Sequence, residues 1–297
     1  MTWLNETAAL VALLRAGGRY WHEWAARVEE VGSALELLDQ ERTGAASGQL
    51  FSTGGVPGEA DLAAARDDIE KWQREGMTVI TILDDSYPAN LRTIHNLPPL
   101  LFVAGELLPA DEWSVAVVGT RRATDAGVEL ARSISTGLVE REYTVVSGLA
   151  EGIDGAAHQA TLDAGGRTVA VIGTGLRRSY PTKNAALQKQ LARDAAVISQ
   201  FWPDQPPTRT TFPMRNAVMS GFALASVVVE ATERSGARMQ ARLALEHGRR
   251  VYLPKALVQR HDWARDYADR PGTTVVSSAA EIVDHLDRAY ATAPLTA

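Results

Sequence analysis

With 297 residues, the chain is long enough for one large domain and one smaller domain. It contains no cysteine, which excludes disulfide bonds, thiolate metal sites and cysteine nucleophiles. The net charge of −6 argues against indiscriminate nucleic-acid binding, but residues 1–110 hold 8 Lys/Arg against 16 Asp/Glu, whereas residues 167–255 hold 14 against 5. A basic region of this kind indicates a local surface for an anionic ligand.

The N-terminal segment is predicted to be a small helical module. Its start lacks a basic region and its apolar stretch is too short to span a membrane, so we expect a cytoplasmic protein without a signal peptide or a transmembrane helix. Apolar residues at helical spacing over residues 5–40 predict short helices. Residues 43–58 are rich in Gly, Ser and Thr and predict a linker. We therefore expect a first domain over residues 1–58 and a second over residues 59–297.

The second domain alternates between strands and helices. It begins with a charged helix over residues 59–75 and a strand over residues 77–83. The further strands are predicted at residues 100–103, 115–118, 143–146, 168–172, 195–198, 226–230, 249–253 and 273–276. The further helices are predicted at about residues 127–141, 153–165, 184–193, 216–224, 235–247 and 279–289. Most strands are continuous β-branched runs, which is typical of parallel strands buried on both faces, so the pattern predicts a doubly wound, mostly parallel α/β sheet.

Glycine, hydroxyl and arginine residues follow four of these strands. In a parallel sheet such turns meet at one edge, where backbone N–H groups and helix N-termini bind anions. Hydroxyl groups donate to phosphate oxygens, and arginine pairs with them bidentately. The turns contain Gly119, Thr120, Arg121, Arg122, Ser147, Gly148, Gly173, Thr174, Gly175, Glu230 and Ala231. Any one of them could be an ordinary tight turn, but four together predict a phosphate-binding site.

Enzyme motifs are not evident at these turns. The first turn reads GTRRATDAG rather than GxGxxG, and there is no Walker lysine loop, so a nicotinamide enzyme or an NTPase is poorly supported. Asp154 and His158 lie four residues apart and, with Ser147, suggest a hydrolase. However, there is no GxSxG elbow, and such a pair is more often structural; alternatively, His158 contacts phosphate. No set of His, Asp and Glu residues has the spacing of a metal site.

Two basic segments downstream place an aromatic residue between cations. They are residues 177–184 (RRSYPTKN) and residues 209–216 (RTTFPMRN). A single strand of nucleic acid needs this combination, because its bases stack on rings while cations hold its backbone. The side chains that fit these roles are Arg177, Arg178, Tyr180, Lys183, Phe212 and Arg215. The alternative is a pair of ordinary loops that contain proline.

The ordered motifs of the sequence resemble those of the DprA/Smf family, whose members bind single-stranded DNA and load RecA onto it. The resemblance extends over about 170 residues, and SGLAxGID followed by AH is its most specific part. The matching segments are SYPANL (86–91), PPLLFVAG (98–105), VAVVGTRRATDAG (115–127), VVSGLAEGIDGAAH (145–158), TVAVIGTGLRRSYPTKN (168–184) and FPMRN (212–216), with a looser match at VVVEATERSG (227–236).

The resemblance implies an extended Rossmann domain preceded by a SAM-like helical domain. It also implies a basic pocket for single-stranded DNA, a homodimer, a RecA-type recombinase as partner, and neither catalytic activity nor a cofactor. The expected DNA- or phosphate-binding residues, from the turns and the motifs together, are Gly119, Thr120, Arg121, Arg122, Ser147, Gly148, Asp154, His158, Gly173, Gly175, Arg177, Tyr180, Lys183, Asn184, Phe212, Arg215 and Asn216.

The chain also departs from the family pattern. Ala217 replaces an arginine, Gln200 replaces a glutamate, and Lys255 stands where a glycine usually follows a proline. Loss of one arginine should weaken phosphate binding, so Ala217→Arg is expected to strengthen it. These changes suggest a divergent member whose ligand or partner has drifted.

Two alternative functions remain open. The first is a sensor of the same broad fold that binds a nucleotide-derived signal, for instance in phage defence. The second is an enzyme similar to nucleoside-monophosphate phosphoribohydrolases, which carry a Gly-Gly-x-Gly-Thr-x-x-Glu motif after a late strand. The corresponding segment here reads EATERSGARMQA, which makes the enzyme a weak alternative.

Overall fold

Within the residues that the structure describes, nine strands form one mixed sheet, and each lies within two residues of its predicted range. The computed structural model describes residues 2–46 and 55–290. The strands are β1 (Met77–Thr81), β2 (Leu100–Gly105), β3 (Ser114–Gly119), β4 (Thr144–Ser147), β5 (Thr168–Val171), β6 (Ala196–Ser199), β7 (Ala225–Glu230), β8 (Arg250–Pro254) and β9 (Thr273–Val276). Their order across the sheet is β1-β2-β6-β5-β4-β3-β7-β8-β9.

The predicted doubly wound topology is confirmed. Strands β3 to β9 pair in parallel, whereas β2 pairs antiparallel with both β1 and β6. From β3 the chain builds outward through β4, β5 and β6, and then returns to the other side of β3 to add β7, β8 and β9. The order therefore reverses between β3 and β7, and ligands of such sheets bind at this switch point, outside the carboxyl ends of the strands.

Thirteen α-helices accompany the sheet in the described ranges. They are α1 (Thr2–Ala16), α2 (Trp21–Val31), α3 (Ala34–Ala46), α4 (Glu59–Arg74), α5 (Ala89–Arg92), α6 (Asp125–Val139), α7 (Ile153–Asp163), α8 (Ala185–Asp194), α9 (Thr211–Phe222), α10 (Gly236–Glu246), α11 (Lys255–Arg260), α12 (Asp262–Ala268) and α13 (Ala279–Tyr290). Helices α6, α7, α8 and α13 pack on one face, and α4 and α9 to α12 pack on the other. Both faces of the strands are thereby buried, which explains their continuous apolar runs.

The N-terminal helices pack directly against the second predicted domain. Their apolar residues share one hydrophobic cluster with α4 and the adjoining strands. Trp21, Trp72 and Phe102 surround the ring of Trp202 at centroid distances of 5.3 to 6.2 Å. The Arg15 guanidinium lies 5.4 Å from the Trp202 ring centre and 5.6 Å from that of Trp72. The boundary at residue 58 remains a proposal, since most of the predicted linker, residues 47–54, lies outside the described residues.

The structure differs from the predicted elements in two places that matter for the site. Helix α9 begins at Thr211, so much of the predicted loop 209–216 is its first turn and a half. Pro213 fits there because the first turn of a helix needs no donor from its backbone nitrogen. Helices α11 and α12 occupy a polar stretch with no predicted helix, and they are held by the buried rings of Trp263 and Tyr267.

Candidate nucleic-acid interface

The four predicted turns lie side by side at the carboxyl edge of the sheet, because β5, β4, β3 and β7 are neighbours. A cleft of about 520 Å³ opens between the turn after β3, helix α9 and the start of α10. It therefore lies at the switch point of the sheet. Its lining includes Gly119, Thr120, Arg121, Arg122, Asp154, Phe212, Arg215, Asn216, Arg234, Ser235, Gly236 and Gln240.

The turn after β3 presents two free cations. The backbone nitrogen of Thr120 donates to the Glu230 carbonyl (2.7 Å), and the Thr120 hydroxyl accepts from the backbone nitrogen of Arg122 (3.3 Å). These bonds fix the turn, so the Thr120 hydroxyl has a structural task. The side chains of Arg121 and Arg122 are exposed, and no carboxylate of the described residues lies within ion-pair distance of either. Both guanidinium groups can therefore pair with phosphate.

The N-terminus of α6 is occupied by a carboxylate of the chain itself. The Glu230 carboxylate accepts from the backbone nitrogen (3.0 Å) and the hydroxyl (3.1 Å) of Thr124, which is the N-cap of α6. A negative charge is stabilised at this position by the helix dipole. The expectation that a phosphate binds this helix N-terminus is therefore wrong for this conformation, and the cationic side chains of the turn are the available phosphate ligands.

Arg215 forms the floor of the cleft. Its side chain is only 7% exposed and donates to the carbonyls of Gly148 and Val171 and to the Asn216 amide oxygen. A Cβ atom at position 148 would overlap the Arg215 guanidinium, so the packing of this arginine requires the glycine after β4. Asn216 in turn donates to the Gly236 carbonyl (3.1 Å) and ties α9 to the start of α10. The motif residues of α9 thus hold the cleft together.

Asp154 faces the Arg215 charge from the opposite wall. It is buried, and its carboxylate accepts from the backbone nitrogens of Gly119 and Ala150, both at 3.4 Å. Burial raises the pKa of Asp154, while the positive charge of Arg215 opposes this shift. Burial also lowers the pKa of Arg215, which the Asp154 carboxylate counteracts. The two charges stabilise each other, and Asp154 acts by fixing the turns after β3 and β4.

Ser147 and His158 are buried away from the cleft. The Ser147 hydroxyl donates to the Val117 carbonyl (2.6 Å), and His158 Nδ1 shares a hydrogen bond with the Thr168 hydroxyl (2.7 Å). Burial lowers the pKa of His158 to about 3, so the ring is neutral. In this structure both side chains are therefore bonded within the core, and their predicted contact with phosphate stays a prediction. Their hydrogen bonds also differ from those of a hydrolytic triad, in which serine and histidine bond to each other.

Aromatic rings form one rim of the cleft. The rings of Tyr180 and Phe212 lie 5.5 Å apart, and the Arg121 guanidinium lies 5.9 Å and 5.3 Å from their centres. Tyr180 is 41% exposed, so one of its sides is open to a planar partner. A Cβ atom at Gly173 would come within 2.7 Å of the Phe212 ring. The predicted combination of rings and cations is therefore brought together.

The loop after β5 divides into exposed and structural residues. The Lys183 side chain is 77% exposed, and its Nζ atom lies 3.9 Å from a carboxylate oxygen of Glu151. The Asn184 amide donates to the carbonyls of Leu149 and Ala150, both at 3.0 Å, and so supports the neighbouring turn. Gly175 packs closely against the backbone of residues 202–203. Lys183 is therefore the residue of this segment best placed to meet a phosphate.

Arg177 serves a different purpose from the predicted one. Its guanidinium donates to both carboxylate oxygens of Glu75 (2.7 and 2.9 Å) and to Asp204 (2.5 Å). These bonds connect the loop after β5 to the end of α4. Its donors are committed to two carboxylates in this structure, so the predicted contact of Arg177 with phosphate stays a prediction that would require these ion pairs to open.

The sequence placed Glu230 and Ala231, at the end of β7, among the phosphate-binding turns but predicted no DNA-binding role for the rest of this loop, which forms the second wall of the cleft. Arg234, Ser235 and Gly236 line this wall, and Arg234 is exposed. The Ser235 hydroxyl caps α10 by accepting from the backbone nitrogen of Arg238 (3.2 Å). The segment ERSG could have indicated this wall, because a cation, Arg234, directly precedes the Ser-Gly pair at which α10 begins.

Two of the family departures are buried. Ala217 is 7% exposed within α9, and Gln200 is 5% exposed after β6. An arginine at position 217 would have to displace packed neighbours, so its expected gain in phosphate binding is replaced by an expected loss of stability.

The described ranges contain neither a cluster of metal ligands nor a membrane-spanning helix. No group of three or more His, Asp or Glu side chains in residues 2–46 and 55–290 is arranged to hold a metal ion. Within the same ranges, no helix combines the length and the apolar character needed to cross a bilayer.

Comparisons with known proteins agree with the fold and the motifs. The chain is 38% identical over 204 residues to the DNA processing protein DprA of Streptococcus pneumoniae, covering 68% of this chain and 72% of the relative. It is 32% identical over 217 residues to the DNA processing protein DprA of Bacillus subtilis, covering 72% and 73%. The X-ray structure of the Streptococcus pneumoniae protein matches with a TM-score of 0.74 and 31% identity over 94% of this chain and 97% of that one.

A second solved structure shares the fold at lower identity. It is the DNA processing protein A of Helicobacter pylori, described for its single-stranded DNA binding mode, with a TM-score of 0.64 and 20% identity over 72% of this chain and 97% of that one. The family model named DNA recombination-mediator protein A matches residues 78–289. The chain therefore belongs to the DNA recombination-mediator protein A family, also known as DprA/Smf.

Proposed function

We propose that this protein binds single-stranded DNA at the carboxyl edge of its sheet and acts as a recombination mediator that loads a RecA-type recombinase. The observation that carries the proposal is the Arg121 guanidinium beside the exposed ring of Tyr180, together with the exposed cations Arg122 and Lys183, which lie close to these two residues in the chain. Cations that hold the backbone beside a ring that stacks a base are the general means of binding single strands without sequence preference.

The DNA contacts are assigned to the exposed residues of the edge. Phosphates would meet Arg121, Arg122 and Lys183, and a base would stack on Tyr180, whose ring is supported by Phe212. The other residues of the predicted set act through the shape of the cleft. This supporting group comprises Gly119, Thr120, Ser147, Gly148, Asp154, His158, Gly173, Gly175, Asn184, Arg215 and Asn216.

The cleft also suits a smaller ligand, which is the second candidate. Its volume of about 520 Å³ lies within the range of small-molecule sites, and the exposed cations Arg121, Arg122 and Arg234 in its lining would attract an anion. However, Lys183 and Tyr180 lie on the rim, outside the lining of the cleft, and a ligand confined to the cleft would leave them unused. Their position favours an extended strand over a single nucleotide.

The finer parts of the proposal concern partners and chemistry. We assign the protein a homodimeric state, a RecA-type recombinase partner, no cofactor and no catalytic activity. The hydrogen bonds of Ser147 and His158, which lead into the core rather than to each other, support a role without nucleophilic catalysis. Stimulation of RecA filament formation on DNA coated with single-strand-binding protein tests the loading activity.

Binding of labelled oligo-dT to the full chain tests the DNA interaction. We expect fluorescence anisotropy to show binding of dT20 that weakens steeply as salt increases from 50 to 200 mM. Arg121→Ala should reduce the affinity about tenfold, because it removes both a phosphate ligand and the cation that stacks on the rim. Arg132→Ala removes an exposed arginine in the middle of α6 and should change nothing.

Two outcomes would contradict the proposal. If the wild-type protein binds no oligomer at either salt concentration, it is not a single-stranded DNA-binding protein, and a nucleotide ligand is favoured. If dT20 binds but Arg121→Ala and Arg132→Ala weaken it equally, the DNA lies on a different surface.

A further inference from the structure

The register of the sheet extends the edge beyond the cleft. Gly119 at the end of β3 pairs with Glu230 at the end of β7. On the other side of β7, Val227 pairs with Tyr252 of β8, and continuing this parallel register by three residues places Lys255 beside Glu230. Neighbouring strands are about 4.8 Å apart, so the backbone of Lys255 lies roughly 10 Å from that of Gly119 along the edge.

Two cations on this side of the cleft form no ion pair with the described residues. Lys255 is the first residue of α11 and is exposed, and Arg234 is exposed in the loop between β7 and α10. Within residues 2–46 and 55–290, no carboxylate lies within ion-pair distance of either side chain. By contrast, two neighbouring arginines are neutralised, since Arg238 pairs with Glu233 and Arg265 pairs with Asp262.

Two carboxylates lie near this path, and each is bonded within the chain. The Glu230 carboxylate is bound to Thr124 at the start of α6, and Glu233 is bound to Arg238. Glu230 keeps its negative charge there, but the three cations Arg234, Arg238 and Lys255 outweigh Glu230 and Glu233, so the net charge of these five groups is positive. This positive charge lies in line with Arg121 and Arg122 at the end of β3, on the side opposite to Lys183.

We infer that the bound single strand continues past the cleft across the ends of β7 and β8, where Arg234 and Lys255 contact its phosphates. This inference rests on the proposed function and lengthens its binding site. The extended edge comprises the ends of β5, β4, β3, β7 and β8 and thus spans four strand spacings, about 19 Å. Lys255 supplies the positive charge at the far end of this edge, where β8 ends.

The test is a pair of variants that remove one charge each. Both sites are exposed, so Lys255→Gln and Arg234→Gln should leave the melting temperature unchanged. Each phosphate contact to a single strand contributes about 0.7 to the slope of log affinity against log salt. With dT20, each variant should lower that slope by about 0.7 and the affinity at 0.1 M salt about fivefold, and the double variant should lower the slope by about 1.4.

A matched control and an oligomer series locate the contacts. Arg288→Gln removes one positive charge from the last turn of α13, and it should bind dT20 like the wild-type protein. In a series from dT20 down to dT2, the effect of Lys255→Gln should disappear at dT2, whose single phosphodiester group cannot contact Arg121 and Lys255 at once.

The outcomes separate this inference from the proposed function. If the wild-type protein binds dT20 and Arg121→Ala weakens binding, but Lys255→Gln and Arg234→Gln match Arg288→Gln in affinity and salt slope, the extended path is wrong and the proposed function stands. A Lys255→Gln effect that persists at dT2 would also overturn the path, because it would indicate a general loss of charge. If the wild-type protein binds no oligomer, both proposals fail together.

Discussion

The floor and the rim of the cleft use polar residues in opposite ways. We define the floor as three residues that line the cleft, Asp154, Arg215 and Asn216, together with four residues of the adjoining interior, Ser147, Gly148, His158 and Asn184. All seven are buried or half-buried and bonded to other parts of the chain. The rim consists of Arg121, Arg122, Tyr180, Lys183 and Arg234, whose side chains are exposed. The rim has donors and a ring to offer a ligand, whereas most donors of the floor are already used.

A motif residue can therefore be needed for one of two reasons: to stabilise the fold of the site or to bind the ligand. Buried polar groups are expensive to leave without partners, so a change in the floor should be measured first as a loss of stability. Exposed cations contribute little to stability, so a change in the rim should be measured as a loss of binding alone. Sequence motifs do not distinguish the two, because both sets are needed for a working site.

Removal of the Arg215 side chain is expected to have the largest effect. Arg215→Ala leaves the carbonyls of Gly148 and Val171 without a donor and Asp154 without its balancing charge. We expect the free energy of unfolding to fall by about 3 kcal/mol, with DNA binding lost as a consequence. Urea denaturation followed by circular dichroism measures the first effect.

Arg132→Ala serves as the control for Arg215→Ala, since Arg132 is exposed on α6. It should change stability by less than about 0.5 kcal/mol. If Arg215→Ala were as stable as this control and lost only DNA binding, Arg215 would belong to the rim, and the division between floor and rim would be wrong.

Acid should destabilise the floor through His158. Burial lowers the pKa of this histidine to about 3 in the folded protein, against about 6.5 in the unfolded chain. The unfolded state therefore binds more protons between these values, so stability is complete above pH 6.5 and falls as the pH approaches 3. By pH 5 the loss due to His158 is about 2 kcal/mol.

Denaturation midpoints at pH 7.5, 6.5, 5.5 and 5.0 measure this dependence. His158→Gln should flatten it, leaving the part due to His247, whose pKa burial lowers to about 4. His22→Gln, at an exposed position of α2, should retain the full dependence. Equal pH dependence in the wild-type protein and His158→Gln would show that the floor does not hold a neutral histidine.

The sheet could be predicted because its signal is local. Each parallel strand is buried on both faces and therefore appears as a short run of β-branched residues. Helices α11 and α12 were missed because their sequence is mostly polar, and Trp263 and Tyr267, four residues apart, were the main apolar signal. The first turn and a half of α9 was missed because Thr, Phe and Pro are typical of a loop as well.

The location of the site could be predicted, but the division between floor and rim could not. Strand order brings the turns to one edge, and glycine and arginine mark them. Whether an arginine is free depends on carboxylates far away in the chain. Glu75 lies 102 residues before Arg177, and Thr124 lies 106 residues before Glu230. No spacing rule encodes these pairs, so Arg177 was assigned to the ligand and the charge of Glu230 was overlooked.

Arg177 and Lys183 provide the finest test, because they lie six residues apart in one basic segment. Lys183 is exposed beside a carboxylate 3.9 Å away, whereas Arg177 is bound to Glu75 and Asp204. Lys183→Gln should weaken dT20 binding about fivefold at 0.1 M salt and lower the salt slope by about 0.7. Arg177→Gln should leave the affinity within about twofold of the wild-type value and slightly lower the denaturation midpoint, because its bonds hold the loop to α4. If Arg177→Gln lost as much affinity as Lys183→Gln without any change in stability, the ion pairs with Glu75 and Asp204 would open to admit DNA, and the rim would include this arginine.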